Sequence, residues 1–329
     1  MTIMATSPAQ ERATRAHELA PLETLRDGVW AIAIPMQSRF STLCYLVEDA
    51  ADAIHIIDPG GDSEFSWDVL MRAISGIRRT LSDVAGIVIT HLHTDHLGMA
   101  ERLRDASGAS ISMHRAEQGA LLAGREVFGA ETLTRWGVPQ DRFPELLRLQ
   151  QWRDQAPKFR ADRLLDDGDE VIRGRRSRAI WTPGHTPGHI CIGFVDEDLL
   201  LSGDHVLPHV STGLGLGGAT ATNPIDDYLD SLQKLRGTDH EVGPGHGYRF
   251  RGLPERIDEL ESRLRRRAAE VADILDRAPA PLTVWEVAEQ VHWSGGFAAL
   301  HDSSLANALS QVRMHANFVD REERIRHAV

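Results

Sequence analysis

Cysteine is nearly missing from this chain: Cys44 and Cys191 are the only two in 329 residues, each inside an apolar stretch that reads as a strand. A disulfide framework and a Cys-x-x-Cys metal or redox motif are thereby excluded, and two buried free thiols in a reducing compartment are expected. No run of about 18 uninterrupted apolar residues occurs, so no membrane-spanning helix is expected. Residues 1–22 hold no apolar core of signal-peptide length; they are expected as a flexible arm and the protein as cytoplasmic. Positive charge is short as well, with 36 lysines and arginines against 48 aspartates and glutamates and a formal net charge of −12. Non-specific nucleic-acid binding rests on cations that neutralise phosphates, so nucleic acid is disfavoured as a partner. The glycine-rich stretch 213–218 has no Lys-Ser/Thr ending and does not join a strand to a helix in the P-loop manner, which argues against a phosphate cradle.

What the chain does contain is a series of short β-branched and apolar runs. Residues 29–34, 43–47, 54–57, 86–90, 109–114, 178–181, 190–195 and 199–201 read as strands. Phe65, Val69, Ile74 and Ile77 recur at helical spacing, a further helix is expected from about Leu97, and another covers 225–235. Residues 115–165 carry Trp136, Phe143, Leu146, Leu147, Leu149, Trp152 and Phe159 among Arg, Glu and Gln with few strand signals. This reads as a helical insertion, either a lid or substrate wall or a layer packed outside the sheet. Beyond Gly252 helix formers dominate: a long charged helix over 255–276, a break at Pro279-Ala280-Pro281, and two shorter helices over 283–291 and 303–316. Thr283, followed three residues later by Glu286, and Ser303 are the expected N-caps. With Phe318-Val319 these helices outline a winged helix, yet the second offers only Arg313 as a basic residue apart from histidine, so packing or substrate framing fits better than DNA reading. The basic run 263–267 has Asp258, Glu259, Glu261 and Glu270 in reach and reads as a solvated face.

The chemistry concentrates in glycine- and proline-bracketed turns. His91-Leu92-His93-Thr94-Asp95-His96 follows the apolar run 86–89 directly, placing three imidazoles and a carboxylate in six residues. Thr182-Pro183-Gly184-His185-Thr186-Pro187-Gly188-His189, Ser202-Gly203-Asp204-His205 and Gly243-Pro244-Gly245-His246-Gly247 each bring a further donor after a strand. Imidazole and carboxylate suit zinc, and also iron or manganese. Seven groups, His91, His93, Asp95, His96, His185, Asp204 and His246, exceed one tetrahedral ion and fit two. His189 reads as a turn residue; His55, His114, His205, His209 and His240 have no assigned role, and only His205 lies close enough in sequence to touch the site.

His91-x-His93-x-Asp95-His96 with His185, Asp204 and His246 in that order resembles the metallo-β-lactamase superfamily, and the Thr-Pro-Gly-His-Thr-Pro-Gly-His stretch is most similar to glyoxalase II-type hydrolases. The insertion and the C-terminal helical region resemble a small-hydrolase branch that includes endoribonucleases with a helical tail. The resemblance, which spans about 28–247, implies an α/β fold, an αββα sandwich of two mixed sheets with helices outside and metals at one sheet edge. It assigns His91, His93 and His185 to a first cation, Asp95, His96 and His246 to a second, and Asp204 to a bridge between them. The bridging carboxylate sets the chain apart from true β-lactamases, and histidine at 93 sets it apart from the flavodiiron branch. Asp58 resembles the family's aspartate that accepts a hydrogen bond from a ligand imidazole and fixes its tautomer; a turn-forming Asp before Pro59 is the alternative. The implied activity is hydrolysis of an ester, thioester or lactone of a small acyl substrate by a hydroxide shared between two divalent cations, zinc first. Asp95 is a ligand first and a candidate proton relay as the tetrahedral species collapses. Rival readings are an endoribonuclease on the same fold, a mononuclear iron sulfur dioxygenase and a non-catalytic regulator. Leu207 and Pro208 stand where quorum-sensing lactonases carry a tyrosine, which weakens the lactone reading. The partners expected are the small acyl substrate and, at most, a second copy of the chain.

Overall fold

The computed structural model describes residues 3–36, 41–124, 129–154, 157–218 and 220–327, with the backbone alone for 150–154; the side chain of Trp152 thus lies outside the described residues. The first half runs β1 (Met4–Ala5), α1 (Pro8–Ala16), β2 (Glu23–Arg26), β3 (Val29–Pro35), β4 (Ser41–Glu48), β5 (Ile54–Ile57), α2 (Glu64–Gly76), β6 (Val84–Ile89), α3 (Thr94–Leu97), α4 (Ala100–Ser107) and β7 (Ser110–His114). The insertion supplies α5 (Arg115–Ala123), α6 (Ala130–Arg135), α7 (Phe143–Asp154) and β8 (Arg163–Leu165). There follow β9 (Ser177–Trp181), β10 (Ile190–Phe194), β11 (Leu199–Gly203), α8 (Pro224–Leu235), β12 (Glu241–Pro244), β13 (Phe250–Arg251), α9 (Leu253–Arg277), α10 (Val284–Gln290) and α11 (Asp302–Phe318).

Two mixed sheets face each other, a seven-stranded one ordered β2-β3-β4-β5-β6-β7-β8 and a six-stranded one ordered β1-β13-β12-β11-β10-β9. The near-continuous apolar character of β3 and β4 follows from burial on both faces. Leu43, Tyr45 and Val47 point into the core between the sheets, while Cys44 and Leu46 point into the core under α2 and α4. On the other side α8 and the first half of α9 cover the six-stranded sheet through Tyr228, Leu232, Ile257 and Leu260. This is the αββα sandwich expected from the motif resemblance.

Four expectations need correction. Residues 3–22 are no loose arm: Ser7 caps α1 by accepting from Gln10 N at 3.0 Å, β1 pairs with β13, and the Gln10 side-chain Oε1 accepts from Arg249 N at 3.1 Å. Hydrogen bonds, together with the burial of Ala13 and Ala20, anchor a segment whose composition carries no apolar run. The helix expected from about Leu97 starts at Ala100 as α4, set off from the short α3 that ends at Leu97 by Gly98, where a Cβ would meet Thr94 O and Asp62 N. α11 starts one residue before Ser303, with His301 as its cap, and the His301 amide donates to Ser304 Oγ at 3.0 Å. Finally, the insertion divides: α5 packs on the seven-stranded sheet through Leu121, with Phe159 in the same cluster, whereas α6 and α7 pack elsewhere. Leu133, Val138 and Leu146 share one buried cluster with Val271, Leu275, Val284, Leu305 and Leu309 of the C-terminal helices. Thr283 caps α10 in a capping box with Glu286, as its spacing predicts. No helix among the described residues is long and apolar enough to cross a membrane.

Candidate metal centre

The donors meet where strands end. β6 delivers His91 to His96 through the turn into α3, the β9–β10 turn delivers His185, β11 ends at Gly203 before Asp204, and β12 ends at Pro244 before His246. The site therefore lies at the ends of strands of both sheets, across the mouth of the sandwich and not along the length of an edge strand. Close backbone approach shapes it: a Cβ at Gly245 would stand 2.4 Å from Asp204 Oδ1 and 2.8 Å from His96 Cε1. Only glycine leaves that space to the donors.

All seven expected ligands converge. His91, His93, His185 and Asp204 form one group whose donor atoms lie within 4.8 Å of one another, and Asp95, His96 and His246 form a second. His91 Nε2 and His185 Nε2 lie 3.0 and 3.1 Å from His93 Nδ1. In the other group His246 Nε2 is 3.3 Å from His96 Nε2 and 3.2 Å from Asp95 Oδ2. Asp204 stands between them, with Oδ2 3.4 Å from His246 Nε2 and 3.7 Å from His185 Nε2, and Oδ1 3.5 Å from His96 Nε2.

The imidazole tautomers are fixed from behind. His96 Nδ1 donates to Asp58 Oδ2 at 2.8 Å, His185 Nδ1 to Gly213 O at 2.5 Å, and His246 Nδ1 to Ser41 O at 2.9 Å. Thr90 donates both its amide (2.8 Å) and its hydroxyl (2.6 Å) to Asp58, which leaves Thr90 Oγ1 to accept from His91 Nδ1 at 3.0 Å. Four Nε2 lone pairs are thus turned inward, an arrangement that repels unless a cation or a proton sits among them. The donor set fits divalent metal: Nε2 lone pairs and carboxylates converge, and buried Asp204 Oδ1 has no hydrogen-bond partner among the described residues.

Electrostatics agree. Burial would lower the pKa of His96 and His246, but the surrounding carboxylates, Asp204 foremost, outweigh it and both are raised. Burial would raise the Asp204 and Asp95 carboxyls, and the neighbouring imidazoles pull both below the usual range. His91, fully buried and ringed by other histidines, is pushed well down and stays neutral. Metal binding would then displace protons from His96 and His246 and not from His91.

Several supporting residues carried no sequence signal. Glu117 on α5 is fully buried and accepts from Leu92 N at 2.6 Å and Gly188 N at 2.7 Å, clamping the first ligand loop to the His185 turn. His189 is no ligand: its Nδ1 donates to Thr182 Oγ1 at 2.8 Å and its Nε2 accepts from Asp204 N at 3.1 Å, so it sets the carboxylate's backbone. His205 packs on His189 and Tyr228 with neither ring nitrogen hydrogen-bonded among the described residues, and burial pushes its pKa down to about 3. His55 and His240 pair with Asp49 and Asp198, His114 stacks on Trp181 and His209 on Tyr248. A cavity of about 620 Å³ opens beside His93 and Asp95; Leu92, Leu121 and Leu149 line it, and Arg148 and Lys158 add positive charge. Asp302 at the start of α11 also lines it, 3.7 Å from Arg148.

Comparison with known proteins places this geometry. The family model described as metallo-beta-lactamase superfamily matches residues 38–246. A probable metallo-hydrolase of Bacillus subtilis, YqjP, is 27% identical over 312 residues, which cover 89% of this chain and 93% of that protein. An atrochrysone carboxyl ACP thioesterase of Aspergillus fumigatus is 30% identical over 233 residues, covering 70% of this chain and 58% of its own length. Among solved structures, a beta-lactamase domain protein from Burkholderia ambifaria superposes with a TM-score of 0.74 at 22% identity, over 93% of this chain and 94% of that one.

Proposed function

The chain belongs to the metallo-β-lactamase superfamily, and we propose that it is a hydrolase that uses two divalent cations, zinc first, to cleave the thioester or ester of a small acyl substrate. The observation that carries this reading is the division of seven donors into two groups sharing Asp204 at the end of a largely apolar cavity. Cations bound there would lower the pKa of a coordinated water from about 15.7 toward 7 and polarise an acyl carbonyl. His91, His93 and His185 would hold the first cation, Asp95, His96 and His246 the second, with Asp204 common to both. Asp58, Thr90 and the Ser41 and Gly213 carbonyls keep the four Nε2 lone pairs turned inward. Leu92, Leu121 and Leu149 would exclude water from the acyl chain, and Arg148 and Lys158 would orient a polar leaving group. Asp95, held ionised by His96 and His246, suits ligation more than proton storage. The glyoxalase II likeness of the His185 turn and the acyl-carrier thioesterase relative both favour a thioester.

The test is hydrolysis of acyl thioesters, lactones and single-stranded RNA by one metal-loaded preparation of measured metal content. We expect thioester cleavage, about two metals per chain, and loss of both in His93→Ala and Asp204→Ala. Full activity in Asp204→Ala would overturn the shared-carboxylate reading, and preferential cleavage of RNA would move the substrate to phosphodiesters.

A further inference from the structure

A cavity of about 470 Å³ lies between α8, α9, α11 and the 209–214 loop, and shares no lining residue with the cavity beside His93 and Asp95. It meets a smaller cavity next to His246 only through His209 and Val210. Its basic lining is Arg263, Arg267, His209 and His315, with no aspartate or glutamate among the described residues that line it, in a chain of net charge −12. The arginines keep donors in reserve. Arg267 uses Nη1 for Glu270 (3.1 Å) and His292 O (2.9 Å), while its Nε and Nη2 make no hydrogen bond among the described residues. Its guanidinium is steadied 4.4 Å above the Trp293 ring. Arg263 comes no closer than 3.9 Å to Glu259 and makes no hydrogen bond among the described residues.

His315 gives the independent observation. It is 2% exposed, lines the cavity, and its buried Nδ1 has no hydrogen-bond partner among the described residues. A buried polar atom left unpaired is destabilising, so its retention calls for a partner. Burial and then Arg267 push its pKa down to about 4, leaving a neutral ring with one N–H to offer at neutral pH. Asn307 and Gln311 bring side-chain amides from the same helix, and Leu260, Leu264 and Met314 supply an apolar wall. We propose that this cavity is a second binding site, distinct from the metal centre, for a small molecule with an oxyanion head, carboxylate or phosphate, and a short apolar body. The Arg263 and Arg267 guanidiniums would take the head with His315 donating, and the body would lie on Leu260, Leu264 and Met314. The site rests on the cavity itself and stands whatever reaction the metal centre performs. Its lining includes Thr212 and Gly213, the residues that hold His185 Nδ1.

Calorimetric titration of the metal-loaded full chain with octanoate, hexyl phosphate and 1-octanol tests the proposal. We expect at least one anionic probe to bind more than tenfold tighter than 1-octanol, and the comparison of octanoate with hexyl phosphate to name the head group. Arg263→Gln and His315→Leu should each weaken that probe about tenfold, the worth of one charge-assisted hydrogen bond. Anions held by the metal centre would bind both variants as they bind the parent. Unchanged binding in the two variants, equal binding of 1-octanol, or no binding of either anion, leaving the cavity to water, would overturn the proposal. Arg263 is half exposed and makes no hydrogen bond among the described residues, so its variant stays informative if His315→Leu fails to fold.

Discussion

Asp58 occupies the left-handed backbone region at φ 51°, a conformation that, glycine aside, asparagine and aspartate adopt with least strain. From there its carboxylate collects the Thr90 amide, the Thr90 hydroxyl and His96 Nδ1. Asp58→Asn keeps the shape and the turn but removes the charge that fixes the His96 tautomer. Metal affinity should fall by about 10- to 100-fold with little change in fold, measured by chelator competition beside a circular dichroism spectrum; unchanged affinity would reduce Asp58 to a turn former. The candidate ligands were legible in sequence because each lies in a short turn closed by glycine or proline, where imidazoles and carboxylates have few structural uses. Glu117, Thr212 and the Ser41 and Gly213 carbonyls were not legible. Glu117 sits in an amphipathic helix like any surface glutamate, and backbone carbonyls carry no side-chain signature.

At the scale of elements, strands buried on both faces were readable as apolar runs, whereas short ones were not. β1, β2 and β8 are edge pieces of two to four residues, too brief for a period to emerge. The partnership of α6 and α7 with α9, α10 and α11 was equally hidden, because periodicity shows that a helix has an apolar face and says nothing of what covers it. That partnership has a functional edge: α7 contributes Arg148 and Leu149 to the metal cavity, and the start of α11 contributes Asp302. Leu309 of α11 is fully buried in the shared cluster. Leu309→Ala should cost about 2–5 kcal/mol, and by loosening α7 against α11 it should raise KM for an acyl thioester more than it lowers kcat. Thermal melting and steady-state kinetics check both. An equal fall in kcat and kcat/KM would place the helices in the chemistry and not in the cavity wall.

For the whole molecule, pH and metal act on one balance. His315 has a folded-state pKa near 4, below the unfolded value of about 6.5. The unfolded chain therefore binds the extra proton first as pH falls. The stabilisation is complete above about pH 6.5 and is lost between 6.5 and 4, on the order of 3 kcal/mol for this group. His205, down at about 3, adds to the same slope. Metal pushes in the same direction, since acid returns protons to His96 and His246 and so weakens every ligand set they belong to. The two effects separate on chelation. Stripped protein loses the binding free energy, about 2.7 kcal/mol for a site held at 100 times its Kd, so its melting temperature at neutral pH should drop and hydrolysis should cease. The acid slope should remain in the stripped protein and become shallower in His315→Leu. If chelation leaves the melting curve untouched at neutral pH while cations are shown to have left, the inward-facing lone pairs are satisfied by protons alone, and the centre is a hydrogen-bonded histidine cluster instead of a metal site.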